Sequence, residues 1–202
     1  MTGVRASERI AALAENYRER GLRPVFRVTP LAGPGIVAAL DAMGWDNYEP
    51  SLVLSMELTK RQRLVSAPTK YFEPSDPEWR QVQSVMAGYA PEATETLGKI
   101  LDQVTVPARG VLVYDDAYQP AGAALAVNAE SCAVFLNVVV DPAKRGQGFG
   151  RAIMHAGLNW TSQMGATNAA IQVLADNEVA LALYRSLGFT QIYDYHYRRA
   201  PQ

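Results

Sequence analysis

An α+β fold built on a mixed sheet is predicted by three observations. Segments with helical spacing of apolar residues alternate with short runs of strand formers along the whole chain. Three central runs follow one another with only turn-like residues between them, as an antiparallel meander does. The order helix, strand, helix, Gly-aromatic, strand also occurs twice, once near each end.

In chain order, Ser7 to Arg20 places Ile10, Leu13, Ala14 and Tyr17 on one helical face, and Gly21 reads as its stop. Pro24 to Thr29 is rich in strand formers. Pro34 opens a helix with Ile36, Val37, Leu40 and Met43 on its apolar face, and Gly44 closes it. Ser51 to Leu58 is a second strand. Thr59 to Pro77, with Lys60-Arg61-Gln62-Arg63 and several Pro, is a junction holding a short strand at Thr69 to Phe72. Helices at Pro77 to Ala87 and Pro91 to Val104 precede the meander, Gly110 to Tyr114, Gly122 to Asn128 and Ala133 to Val140. Helix Gly148 to Gln163, strand Asn168 to Leu174, helix Glu178 to Ser186 and strand Thr190 to Tyr197 complete the chain. The two similar runs, Gly21 to Met43-Gly44-Trp45 and Gly165 to Leu187-Gly188-Phe189, lead us to read residues 1–58 as half of a duplicated unit and 59–202 as the complete one.

Composition narrows the function. Nineteen Lys plus Arg against twenty Asp plus Glu in 202 residues leave a net charge of −1, without the basic excess that supplies non-specific affinity for nucleic acid. One cysteine, Cys132, and two separated histidines, His155 and His196, make a thiolate or His/Cys metal site improbable, so no metal is expected. The N-terminus has no apolar core of a signal peptide, and the longest apolar run, Ala133 to Val140, is interrupted by Asn137 and too short for a bilayer. A cytoplasmic protein without membrane contact is the expectation.

The chemistry concentrates in Val138-Val-Val-Asp-Pro-Ala-Lys-Arg-Gly-Gln-Gly-Phe-Gly-Arg151. A strand ends at Val140, and Gly146, Gly148 and Gly150 alternate as a helix opens. Such glycines let the backbone approach an anion, and the first helical N–H groups point at it. Arg145 and Arg151 add charge-assisted contacts suited to phosphate. A Walker A loop fails because Gly150 is followed by Arg151-Ala152, and the dinucleotide fingerprint fails because its last glycine would fall on Arg151 or Ile153.

The stretch Arg145-Gly-Gln-Gly148-Phe-Gly150 resembles motif A of the GNAT superfamily of acyl-CoA N-acyltransferases. Asn177-Glu-Val-Ala180-Leu-Ala-Leu-Tyr184-Arg-Ser-Leu-Gly188-Phe189 resembles its motif B, and the order of elements agrees over residues 68–198. The resemblance implies the GNAT fold, with acetyl-CoA as acyl donor and Val138, Val139, Val140, Arg145, Gly146, Gln147, Gly148, Phe149, Gly150, Arg151, Asn177, Ala180 and Tyr184 in contact with it. It implies that the backbone of Val138 to Val140 pairs with the pantetheine arm and that an N–H near Val138 polarises the thioester. Asn177 would hydrogen-bond that arm and Tyr184 would protonate the departing thiolate. Asn177, Ala180 and Tyr184 share one helical stripe, with Val179, Leu183 and Leu187 on a neighbouring stripe that can enter the core.

Some relatives place a Glu near the position of Cys132. This chain offers Glu130 two residues earlier, on the same strand face if the strand reaches it, and Asp194 and His196 as alternative bases. His155 reads as structural. Asp76, Glu78, Glu92 and Glu95 could attract a cationic amine, but a solvated helix face is the better account of each.

The N-terminal half lacks a glycine turn and has Leu40 where the other half has Tyr184, which resembles tandem GNAT proteins with a degenerate, here shortened, N-terminal domain. The implied activity is transfer of acetyl from acetyl-CoA to a primary amine of a small molecule or peptide, in a ternary complex. The competing reading is a CoA-binding regulatory or scaffold module without turnover. An incomplete sheet exposes an edge, so a homodimer is an expectation to be tested.

Overall fold

The computed structural model describes residues 3–59 and 63–201; Lys60, Arg61 and Gln62 of the expected junction lie outside them. Among these residues are six α-helices and eight strands. The helices are α1 (Gly3–Arg18), α2 (Pro34–Ala42), α3 (Pro77–Ala87), α4 (Pro91–Leu101), α5 (Phe149–Gln163) and α6 (Glu178–Ser186). The strands are β1 (Val25–Val28), β2 (Asp46–Glu57), β3 (Thr69–Phe72), β4 (Ala108–Tyr114), β5 (Pro120–Ala129), β6 (Cys132–Val140), β7 (Asn168–Leu174) and β8 (Thr190–Arg199). Every expected element is present.

β2 differs most from expectation, starting at Asp46 rather than Ser51. Asn47, Glu49 and Pro50 are poor strand formers, and Glu49 has a positive φ of 50°. Its place beside β8, rather than its own propensity, extends the strand.

The chain divides into two compact units, and the division does not follow the sequence boundary near residue 58. The smaller comprises 1–54, 172–182 and 190–202, and the larger 55–171 and 183–189. The last strand belongs with the N-terminal residues because β8 pairs antiparallel with β1, Val25 opposite Arg199 through Val28 opposite His196. The core of this smaller unit is Ile10 and Ala14 of α1 and Leu40 of α2 against Val28, Trp45 and Ala200. Buried Arg198 is satisfied there by Asp41 at 2.7 Å and the Trp45 carbonyl at 3.1 Å.

In the larger unit β4, β5 and β6 form the expected antiparallel meander, β3 joins it beside β4, and β6 then pairs with β7 in parallel, which makes the sheet mixed. Alternation sends the two faces of β4 and β5 into separate cores. Leu112, Tyr114, Ala123 and Leu125 pack with Trp79 of α3, while Val113 and Ala124 pack with Ala152 and Ile153 of α5. Burial on both faces explains why β5 reads as a nearly unbroken run of small apolar residues. α3 is capped at both ends: the Asp76 carboxylate accepts from the Glu78 N–H at 2.8 Å, and Gly88 ends the helix at φ 68°.

Candidate active site

The glycine turn begins where β6 ends. Asp141 caps a single 3₁₀ turn, Pro142–Lys144, by accepting from the Ala143 N–H at 2.9 Å. Lys144 pins this turn to the β4–β5 hairpin through Asp115 at 2.6 Å and the Pro120 carbonyl at 3.0 Å. That Lys144 hydrogen bond is the main reason the Asp115 carboxyl is held below its usual range. Arg145 follows in extended conformation and is exposed.

Gly146 and Gly148 then adopt φ of 77° and 89°, a conformation that side chains with a Cβ resist. Gly148 is the N-cap of α5 and supplies no side-chain cap; the first bond back to it comes from the Ala152 N–H at 3.1 Å. The amides of the first turn are therefore free of intrahelical acceptors and carry the positive end of a fifteen-residue helix. Gln147 is exposed beside them, and Phe149, like Val138 and Val140, packs against the buried cluster of Val113, Ala124, Ala152 and Ile153.

Gly150 does different work from the first two glycines. A Cβ there would stand 3.1 Å from Leu183 of α6 and 3.7 Å from Val140. This close approach brings the end of α6 against the start of α5, and Arg151 secures it by donating to the Ser186 hydroxyl at 2.8 Å. Arg151 is thus an inter-helix tie as well as a first-turn cation.

Tyr184 lies on this part of α6. Its side chain is 5% exposed and meets Phe189 edge-on at a centroid distance of 6.0 Å. Burial pushes its phenol up to about 12, so it keeps its proton throughout the neutral range. Asn177 is the N-terminal cap of α6: its side-chain oxygen accepts from the Ala180 N–H at 3.1 Å. The core-facing stripe of α6 is a correction. Val179 is 83% exposed, and Leu181 with Tyr184 provides the buried face instead.

A bulge in β6 is the site feature that periodicity missed. Opposite the two steps from Leu125 to Ala123, β6 advances three, from Leu136 to Val139, and Asn137 takes φ 51°. The parallel ladder with β7 pairs Cys132 with Asn168 through Phe135 with Ile171, and the ladder with β5 continues past the bulge to Val140. The signal in the sequence was Asn137 itself, a polar residue breaking an apolar run.

Glu130 is not with these groups. β6 begins at Cys132, so Glu130 falls in the β5–β6 turn, exposed and at φ 57°, rather than on the strand face. Seven residues, Ser131 to Asn137, lie between it and Val138, about 20 Å of strand. His196 also corrects an expectation: its Nε2 accepts from Arg198 Nε at 3.2 Å, which occupies the lone pair a base would use. His155 is structural as read, its Nδ1 2.6 Å from the Leu64 carbonyl. Of the acidic residues considered for an amine, Asp76 caps α3 and Glu95 pairs with Lys99 at 2.7 Å.

Known proteins resemble this chain in the same region. The family model described as acetyltransferase (GNAT) family matches residues 74–189, more than half of the chain. A mycothiol acetyltransferase of Kocuria rhizophila is 50% identical over 52 residues, 26% of this chain and 17% of that protein. The [ribosomal protein bS18]-alanine N-acetyltransferase of Escherichia coli K12 is 37% identical over 59 residues, 29% of this chain and 40% of that protein. The matched stretch thus spans less than half the length of these curated relatives. Among solved structures, a GCN5-related N-acetyltransferase from Kribbella flavida superposes with a TM-score of 0.75 at 16% identity, over 100% of this chain and 77% of that one. A tandem GNAT protein from the clavulanic acid biosynthesis pathway gives 0.70 at 16% identity, over 95% of this chain and 69% of that one. At these identities the structures speak for the fold.

Proposed function

The chain belongs to the acetyltransferase (GNAT) family, and on that premise we propose that it moves an acetyl group from acetyl-CoA to a primary amine of a small molecule or peptide by direct attack. The observation carrying this reading is the joining, inside one compact unit, of an uncapped glycine turn and a buried phenol, through the Arg151–Ser186 bond and the Gly150–Leu183 approach.

The residues fit the donor. Gly146 and Gly148 open the backbone, the first-turn amides of α5 offer N–H donors, and Arg145 and Arg151 offer cations, a set matched to a pyrophosphate. Beyond the bulge at Asn137, the backbone of Val138 to Val140 is the natural partner for a pantetheine arm running as an added strand. Its N–H near Val138 would stabilise charge developing on the thioester oxygen. The amine nitrogen bonds to the acyl carbon as the carbon–sulfur bond breaks. Tyr184 gives its phenolic proton to the departing sulfur, and the proton released by the amine passes to solvent water, which returns one to the Tyr184 oxygen, so the phenol is restored and free CoA thiol leaves.

The test is thermal unfolding with acetyl-CoA beside free CoA and NAD(P)H. Saturating acetyl-CoA, at about 100 times its dissociation constant, should add roughly 2.7 kcal/mol. The shift should vanish in Arg145→Ala or Gly148→Glu, and thiol release should follow on adding amines. No shift with either CoA species at millimolar concentration would remove both the enzyme and the CoA-binding-module readings. A shift without thiol release across an amine panel would favour the module.

A further inference from the structure

The smaller unit contains an open pocket of about 300 Å³ lined by Val28, Thr29, Pro30, Gly33, Pro34, Val37, Asp194 and His196. Its floor is the β1–β8 pair, where Val28 stands opposite His196, and Asp194 precedes His196 by two residues on the same strand face. Its wall is the loop after β1 and the first turn of α2, which contribute aliphatic surface from Pro30, Pro34 and Val37. The polar groups are limited and defined. Asp194 brings an exposed carboxylate that has no ion pair among the described residues. His196 accepts at Nε2 from Arg198, which is itself held by Asp41 at 2.7 Å and the Trp45 carbonyl at 3.1 Å. The ring proton of His196 is therefore on Nδ1, and the imidazole offers the pocket a donor rather than a base.

We propose that this pocket binds a small aliphatic amine bearing an oxygen acceptor, such as an amino alcohol or amino acid. The ammonium pairs with Asp194, the oxygen accepts from His196 Nδ1–H, and the alkyl body lies on Pro30, Pro34 and Val37. A volume near 300 Å³ is at the small end of ligand pockets, which fits a molecule of this size. The relay from Asp41 through Arg198 sets the imidazole in place before a ligand arrives, so the donor costs little to order.

Binding is read without any CoA compound present, so its outcome is independent of the acyl-transfer reading. The probes are L-leucinol, 3-methylbutylamine, which lacks its hydroxymethyl group, and 4-methylpentan-1-ol, which lacks its amine, followed by backbone amide shifts of the full chain. L-leucinol should produce saturable shifts centred on Val28, Thr29 and Val37, with 3-methylbutylamine weaker and the alcohol without effect. Asp194→Asn, isosteric at an exposed position, should weaken L-leucinol roughly five- to tenfold while leaving the remaining amide spectrum in place. Absence of saturation at millimolar L-leucinol overturns the proposal. So does an equal response to the alcohol, or an affinity unchanged in Asp194→Asn.

Discussion

Tyr184 carries the most specific consequence at the scale of one residue. Its hydroxyl keeps a proton to about pH 12 because burial disfavours the phenolate. In the proposed reaction Tyr184→Phe should lower the acyl-transfer rate by about 10²- to 10⁴-fold, the usual worth of a positioned acid, with acetyl-CoA affinity changed less than about threefold. Steady-state kinetics beside a binding titration read the two separately. The same phenol predicts an alkaline weakness. An unfolded tyrosine loses its proton near pH 10, whereas the folded one holds it to about 12. Stability tied to that burial is fully present below pH 10 and is lost as pH rises through 12, by a few kcal/mol at most. Denaturant unfolding across pH 9 to 12 should show a decline that flattens in Tyr184→Phe. Glu130, exposed in its turn, should tolerate Glu130→Gln with kcat/KM unchanged within about twofold; a hundredfold loss would return it to the chemistry.

At the scale of the element, α5 is held by contacts that a single carbon disturbs. A Cβ at Gly157 would stand 2.5 Å from Phe135 of β6, whose ring is buried. Gly157→Ala must displace the ring or the helix, and overpacking of that kind costs about 1–3 kcal/mol. Calorimetry should show a midpoint lowered by several degrees. Gly150→Ala is milder, since Leu183 at 3.1 Å needs to give only a few tenths of an ångström. Its larger effect should be on CoA affinity, because α5 and α6 separate where the donor is proposed to lie. The elements themselves were legible because propensity and period agree in them: β3, α3, β7 and α6 start and stop where the residues say. β2 and the bulge in β6 were not legible. Asp46 to Pro50 becomes a strand through pairing, and Asn137 takes a left-handed φ to accommodate an extra residue against β5.

For the whole molecule, β1 stands at the end of the order β1-β8-β2 in the smaller unit and is paired on one side by β8. The homodimer expected from an exposed edge should appear in light scattering as twice the 22.0 kDa chain mass. A monomeric mass across the micromolar range would remove that expectation. None of the described helices is long and apolar enough to cross a membrane.

By itself the sequence determined the order of helices and strands and the glycine turn after Val140. These are set by local chemistry: spacing, capping and the conformations glycine allows. Only the tertiary structure decided that Glu130 lies in a turn, that Arg151 bonds Ser186, and that Leu181 rather than Val179 faces the core. It also decided that the last strand packs with the first and that His196 Nε2 accepts from Arg198. Each of these depends on groups far apart in the chain, and pairing between distant segments leaves no period in either one.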